Sequence, residues 1–327
     1  MVQDYDTLIA NITRAIEQQP DNIYNYHWRG LVHHTFQNHD AALADCTRAI
    51  ELQPDQGDHH HWRGHVNHSL QDYPAAVADF SQAIRLQPDN GYHYFWRGRV
   101  FYSQKDYSAA QHDFTRTIEL IPDDGHNYFW RGLASYSLGN HPDAFADLDE
   151  AIRLQPDNGN NYAIRAMFHE DLKNYPAALA DYTRAIELQP DDSYNYRLRG
   201  QISYALHHYD AALADLSRAI ELIPDDATVY SIRGMVYYDL KDYAAARDDF
   251  SRAIERTPEG PHDGDHYYSR GLMHYKLKKY KAATADFTRA VELQPHDRYN
   301  YWQRCKAYFK RHRYGSALMD FFRMLLK

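Results

Sequence analysis

The stretch GYHYFWRGRVFYSQKDYSAAQHDFTRTIELIPDD, residues 91–124, decides the fold, because its landmarks recur along the whole chain. Its Pro122 belongs to a series at 20, 54, 88, 122, 156, 190, 224 and 258, each step 34 residues, with Pro295 following after 37. A fixed period of that size means stacked, similar units that share a core. Its Gly98 is matched at 30, 64, 132, 200, 234 and 271, with Ala166 and Cys305 in the two remaining places. Its Ala110, twelve residues on, is matched at 42, 76, 144, 178, 212, 246, 283 and 317. Glycine inside a helix costs about 1 kcal/mol relative to alanine, so glycine held in register implies a contact that no larger residue allows. The contact expected is small on small, Gly98 against Ala110. Each unit then reads as helix A, a short turn, helix B and a turn closed by Pro-Asp. Pro74, Pro142 and Pro176 fall in first turns of B helices, where a missing N–H does no harm.

The 327 residues are 44% hydrophobic and 25% charged, a normal globular balance, and no Gly/Ser-rich segment divides them. The excesses are 29 Tyr and 21 His. No run of eighteen apolar residues occurs, and Met1-Val2-Gln3-Asp4-Tyr5-Asp6 has neither a basic nor an apolar leader, so a soluble, cytoplasmic protein with no membrane span is expected. Cys46 and Cys305 stand in distant units where the pattern wants a small packing residue, which reads as two buried thiols rather than a disulfide.

Units are numbered here from 1, with the proline at 32. Position 4 is Tyr in eight of nine units (Tyr26, Tyr94, Tyr128, Tyr162, Tyr196, Tyr230, Tyr267, Tyr301), His60 being the ninth. Position 17 is mostly Tyr, position 27 mostly Ala, and small residues fill 8 and 20. This pattern resembles the tetratricopeptide repeat family over nearly the whole chain. The resemblance implies an all-α, right-handed superhelical α-solenoid of about nine 34-residue helix-turn-helix repeats, residues 1–327 forming a single array. Residues 1–22 look like a lone B helix, and full repeats start at 23, 57, 91, 125, 159, 193, 227, 264 and 298, roughly nineteen helices in all. Tyrosine abundance is then mostly structural.

Two departures from the family pattern stand out. Position 7, usually apolar, is Arg in every unit, from Arg29 to Arg304, and position 23 is always Asp, from Asp45 to Asp320. A row of anion-binding arginines is one reading. The favoured one is a repeated Arg–Asp bridge between helices A and B, because a buried Arg needs a carboxylate and the two residues recur together. The second departure is Glu259-Gly260-Pro261-His262-Asp263-Gly264, three residues longer than the usual turn and expected to be a kink or hinge.

The family resemblance places A helices on a concave face, so binding residues are sought at A-helix positions 2, 5, 6, 9, 12 and 13, which share one helical face. They read Tyr24, His27, Trp28, Leu31, His34; Asp58, His61, Trp62, His65, His68; Tyr92, Phe95, Trp96, Arg99, Tyr102; and His126, Phe129, Trp130, Leu133, Tyr136. Four Trp stand at position 6 in succession on helices about 8–10 Å apart, an indole ladder. It is either inter-helix core or a rigid floor for a partner segment. The floor is favoured, because Trp is rarely fully buried and Trp, Tyr and Arg give contact area at low entropy cost. The ladder breaks at Ala163, Ile164, Met167, Glu170 and Asp171, and later units are mixed, with Tyr194, Arg197, Gln201, Tyr204, Tyr238 and Asp239. Repeats one to four are the expected site for a protein or peptide partner.

Other classes fare worse. The family's co-chaperone branch grips a carboxylate with Lys, Asn and Arg on these positions, but no Asn occurs at positions 5, 6 or 9. Asp58, His61, His65 and His68 share a helix stripe about 15 Å long, so one ion would reach only two of them plus His34, and no metal or cofactor is expected. Neither a phosphate-binding glycine loop nor HExxH occurs, and no catalytic residue is assigned. Sugar or base stacking on the Trp ladder is a weaker third reading. A net charge of -9 argues against nucleic acid. Residues 264–327 nevertheless carry 14 Lys/Arg against 5 Asp/Glu, net +9, leaving -18 on the rest. The last helix shows Leu318, Met319, Phe321, Phe322, Met324, Leu325 and Leu326 with no polar cap, so self-assembly through this basic, apolar end is the alternative function.

Overall fold

The computed structural model describes residues 2–257 and 263–325. After α1 (Val2–Gln18) come nine A/B pairs: α2 (Ile23–Thr35) with α3 (His39–Leu52), α4 (Gly57–Ser69) with α5 (Tyr73–Leu86), α6 (Gly91–Ser103) with α7 (Tyr107–Leu120), and α8 (Gly125–Ser137) with α9 (His141–Leu154). They continue as α10 (Gly159–Asp171) with α11 (Tyr175–Leu188), α12 (Ser193–Ala205) with α13 (Tyr209–Leu222), α14 (Ala227–Asp239) with α15 (Tyr243–Arg256), α16 (Asp263–Lys276) with α17 (Tyr280–Leu293), and α18 (Arg298–Lys310) with α19 (Tyr314–Leu325). The described residues are all-helical, and helices pack on their chain neighbours, as a helical-repeat solenoid requires. Two compact units result, one ending at Asn161 and one beginning at Tyr162. The hinge expected at Glu259-Gly260-Pro261-His262 lies outside the described residues.

Local chemistry sets the helix ends. Asn22, Asn90 and Asp124 accept from the second backbone N–H of their A helices, and Asn38, Asp72 and Asp106 cap B helices. Pro74, Pro142 and Pro176 sit in first turns as expected. Each A-to-B turn passes through the left-handed region at one residue, Gly139 in the fourth unit and non-glycine elsewhere, for example Lys105 at φ 63°.

The small residues meet as expected in only two repeats, where a Cβ on Gly132 would lie 3.2 Å from the Ala144 carbonyl oxygen and one on Gly30 3.6 Å from that of Ala42. A Cβ on Gly98 would lie 2.9 Å from Phe114, and one on Gly64 2.9 Å from Phe80, so the close approach there is to the aromatic at position 24. The position-20 alanines are buried beside it.

The Arg–Asp bridge forms in every unit. Arg97 donates from Nε to Asp113 Oδ2 at 2.7 Å and from Nη2 to Asp113 Oδ1 at 2.8 Å, and the same fork joins Arg29 to Asp45, Arg131 to Asp147 and Arg304 to Asp320. The guanidinium also reaches back to the preceding B helix: Arg97 Nη1 donates to Ser81 Oγ at 3.0 Å, Arg29 to Thr13, and Arg233 to Ser217. One side chain thus ties three helices. Its Cζ lies 5.8 Å from the position-4 ring in Tyr26 and Tyr94, and Tyr26 and Tyr301 donate their hydroxyls to the prolyl carbonyls six residues earlier. The row of arginines is therefore occupied internally. Burial makes Cys46 an inert thiol, pushed up to about 12, while Cys305 is half-buried; both are free.

Candidate functional site

On the first unit the A helices α2, α4, α6 and α8 bring the expected residues together, but the indoles are interleaved rather than stacked on one another. The His65 ring lies 5.5 Å from Trp62 and 4.1 Å from Trp96, and Arg99 Cζ lies 4.8 Å over Trp96 and 4.2 Å over Trp130. Position 9 of the second and third repeats thus fills the gap to the next Trp. His27 meets Trp62 edge-on at 5.3 Å, and Tyr102 meets Trp130 at 5.4 Å. Burial lowers the basicity of Arg99, and no carboxylate pairs with it among the described residues.

The two readings of the ladder prove compatible within single side chains. Trp62, Trp96 and Trp130 are half-buried, with inner edges packed on buried residues such as Val66, Val100 and Phe114. Leu198 and Ile232 occupy the same position in the second unit and are buried, so the position accepts an aliphatic and a Trp overfills it. Trp28 is 56% exposed, Tyr24 75% and Tyr92 57%. Trp130 Nε1 donates to His126 Nε2 at 3.1 Å, and His126 stacks on Phe129 at 6.1 Å. His34 packs on His39, His68 on Tyr73, and Tyr136 on His141, each at the far end of its helix. Phe95, expected to flank the groove, is only 6% exposed: it packs 5.8 Å from Phe114 and joins the core.

The histidines form a hydrogen-bonded chain. His93 Nε2 meets Gln87 Oε1 at 2.7 Å, His93 Nδ1 meets His61 Nδ1 at 2.9 Å, and His61 Nε2 meets His65 Nε2 at 3.1 Å. With every ring neutral, His65, His61 and His93 each donate one proton along the chain toward Gln87, satisfying all the links. Protonating any two of the rings would set two N–H groups head to head. Burial, aided by the neighbouring rings, holds His61 down to about 3 and His65 to about 2. Among the described residues no group of three or more His, Cys, Asp or Glu is arranged to hold a metal ion.

The sequence pointed to His61 and His65 but passed over His59 and His93. The signal was present: position 3 is Asn or His in eight units, namely Asn25, His59, His93, Asn127, Asn161, Asn195, His266 and Asn300. At the first unit's edge, Tyr24, His27, Trp28, Gln53, Asp58 and Trp62 line a cleft of about 550 Å³ that His59 also borders.

Stacked helical hairpins tied by a repeated Arg–Asp fork, with an aromatic A-helix face, define a helical-repeat protein. The chain belongs to the tetratricopeptide repeat family: family profiles described as "Tetratricopeptide repeat" or "TPR repeat" match residues 23–56, 64–105, 104–159, 168–235 and 233–298. No curated protein sequence matches significantly. Among solved structures, the chain is similar to the C-terminal part of a TPR repeat-containing protein from Cytophaga hutchinsonii (TM-score 0.64, 17% identity, covering 72% of this chain and 96% of that one). It is also similar to a tetratricopeptide repeat protein from Parabacteroides merdae (TM-score 0.53, 18% identity, 77% and 98% covered) and to PilF of Pseudomonas aeruginosa (TM-score 0.53, 13% identity, 63% and 93% covered). Family membership supports a protein-interaction scaffold. No helix among the described residues is long and apolar enough to cross a membrane.

Proposed function

We propose that the protein is an interaction scaffold that takes a segment of a protein partner on the A-helix face of its first unit, along α2, α4, α6 and α8. The observation that carries this reading is the overfilled position 6. Fold stability needs only an aliphatic there, as Leu198 and Ile232 demonstrate, yet four successive units spend Trp on it and leave ring area facing out. Rigid aromatics held by cross-helix contacts, with Arg99 fixed between two of them, lose little entropy on binding. An extended or helical segment with apolar side chains suits such a floor. The test is to select peptides from a displayed random library on the intact protein and measure the winners against Trp96→Leu. Affinity should fall at least about thirtyfold, equal to about 2 kcal/mol, with the thermal melt little changed. Unchanged affinity would remove Trp96 and the floor from the function.

A second reading has its own observation: Leu318, Met319, Phe322 and Leu325 of α19 are exposed, and the same C-terminal part of the chain carries a basic surface containing Lys278, Lys279, Lys281 and Arg311. Head-to-tail assembly would set this end against the first unit, which carries 11 Lys/Arg and 22 Asp/Glu, net -11. Light scattering over a hundredfold concentration range tests it; a constant monomer mass removes it.

A further inference from the structure

Position 3 carries a polar side chain in eight of the nine repeats, and in several of them neighbouring groups bond at least one of its polar atoms, although Asn195 Oδ1 and Asn300 Oδ1 are buried without a partner. His93 is bonded to His61 and Gln87, Asn127 donates to the Ile121 carbonyl, Asn161 to Ala151, Asn195 to Asp192, and Asn300 to Ala290. His59 departs from this. It is 9% exposed, and neither Nδ1 nor Nε2 has a partner, the only ring among the described residues with both nitrogens in that state. Leaving such groups unpaired in a buried position is destabilising. The residues equivalent to those that satisfy His93 are present one unit earlier as His27 and Gln53, but they stand off: the His27 and His59 rings are 6.5 Å apart against 4.8 Å for His61 and His93, and Gln53 is exposed. Where units two and three close a network, units one and two leave the cleft of about 550 Å³.

We propose that this cleft receives the guanidinium group of an arginine in the partner segment, a deepening that rests on the partner-binding reading of the A-helix face. Its wall includes the Asp21 and Asp58 carboxylates and no Lys or Arg, on a unit of net charge -11, which repels an anionic ligand and draws a cation. Tyr24, Trp28 and Trp62 supply aromatic faces for a planar cation. The molecule contains its own example: Arg99 lies within 4.8 Å of Trp96 and 4.2 Å of Trp130. Burial and the nearby His27 lower the basicity of His59, so the ring is neutral and offers a lone pair to a guanidinium N–H. Its other nitrogen then donates to a backbone carbonyl of the same segment.

The test titrates N-acetyl-L-arginine N-methylamide, and its neutral citrulline counterpart, into the intact protein while NMR follows the His59 ring and the Trp28 and Trp62 indole N–H signals. Saturable shifts at these three residues are expected, at least tenfold tighter for arginine than for citrulline and weakened severalfold by Asp58→Asn. His59→Asn should retain the fold, since Asn stands there in five other repeats, Asn25 among them, and lose the response. Equal responses to the two probes, shifts confined to other residues, or full binding by Asp58→Asn would overturn the proposal. The library-selected peptides separate this from the broader reading: if Trp96→Leu loses them while His59→Asn and Asp58→Asn keep them, the floor stands and the arginine cleft falls. If Trp96→Leu keeps them while the arginine probe still binds at His59, the cleft stands and the floor falls.

Discussion

The two units share one frame and present different faces. Both have the Arg–Asp fork, buried position-20 alanines and glycines pressed on the position-24 side chain. Across helices α2 to α8, neighbouring A helices of the first unit meet mainly through rings: His27 on Trp62, His65 on Trp96, Arg99 on Trp130. In the second unit they meet through polar and cation–ring contacts, Tyr204 to Asp239 at 3.0 Å, Ser231 with His266, Gln303 to Tyr268, Lys276 over Tyr238 and Lys306 over Tyr275, and Arg197 lies over Tyr194 with Asp226 4.0 Å away. Structural positions are thus held constant while the A-helix face varies freely, which is how one fold serves unrelated partners.

The largest effect should ignore this difference. Arg97→Ala and Arg233→Ala each strand a buried Asp and release a Ser on the preceding helix, and each should cost about 3–5 kcal/mol in denaturant melts. A cost confined to one unit would break the shared frame.

Acid should act mainly on the first unit, since in the second burial lowers the basicity of His274. In the folded state His61 and His65 titrate only near about 3 and about 2, whereas unfolded His titrates near 6.5. The unfolded chain therefore binds more protons below pH 6.5, and the stability these groups contribute is complete above that pH and lost as pH falls toward the folded values. By pH 5 the loss should be about 2–4 kcal/mol for the pair. Hydrogen exchange should quicken in α4 and α6 but not in α12 and α14. His61→Phe with His65→Leu, residues found at positions 5 and 9 of other units, should remove most of the effect, the remainder belonging to other buried histidines such as His59 and His93; undiminished acid sensitivity would place its origin elsewhere.

Glycine contacts sharpen the comparison at smaller scale. Gly98→Ala, with its Cβ 2.9 Å from Phe114, should cost about 1–3 kcal/mol, and Gly132→Ala, whose nearest neighbour is the Ala144 carbonyl at 3.2 Å, less. Smallest of all, Lys105→Gly should stabilise by up to about 1 kcal/mol by relieving a left-handed residue, seen as a small rise in melting temperature.

The frame was legible because its residues recur together. Arg at position 7 and Asp at 23 repeat in all nine units, and a buried Arg admits few partners. The Ser and Thr at position 25 that complete the tie, such as Ser81 and Thr13, carried the same periodic signal but went unread because Ser and Thr are common on any helix. Gly98 was matched to Ala110 by size, whereas position depends on how far the Phe114 ring reaches. The site was legible as a set of residues and not as an arrangement. Spacing put Trp62, Trp96 and Trp130 on one face, but only side-chain geometry interleaves them with His65 and Arg99 and draws Phe95 inward. The missing partners of His59 have no sequence signature, since the residues that satisfy His93 recur beside it as His27 and Gln53.

Hydrogen exchange of the intact protein with and without a saturating library-selected peptide tests the central claim most directly. The account predicts protection on α2, α4, α6 and α8, centred on the turn of α6 that carries Trp96, with little change in α12 or α14, and loss of the footprint in Trp96→Leu. Protection centred on the second unit, or on the B helices α3, α5, α7 and α9, would contradict it.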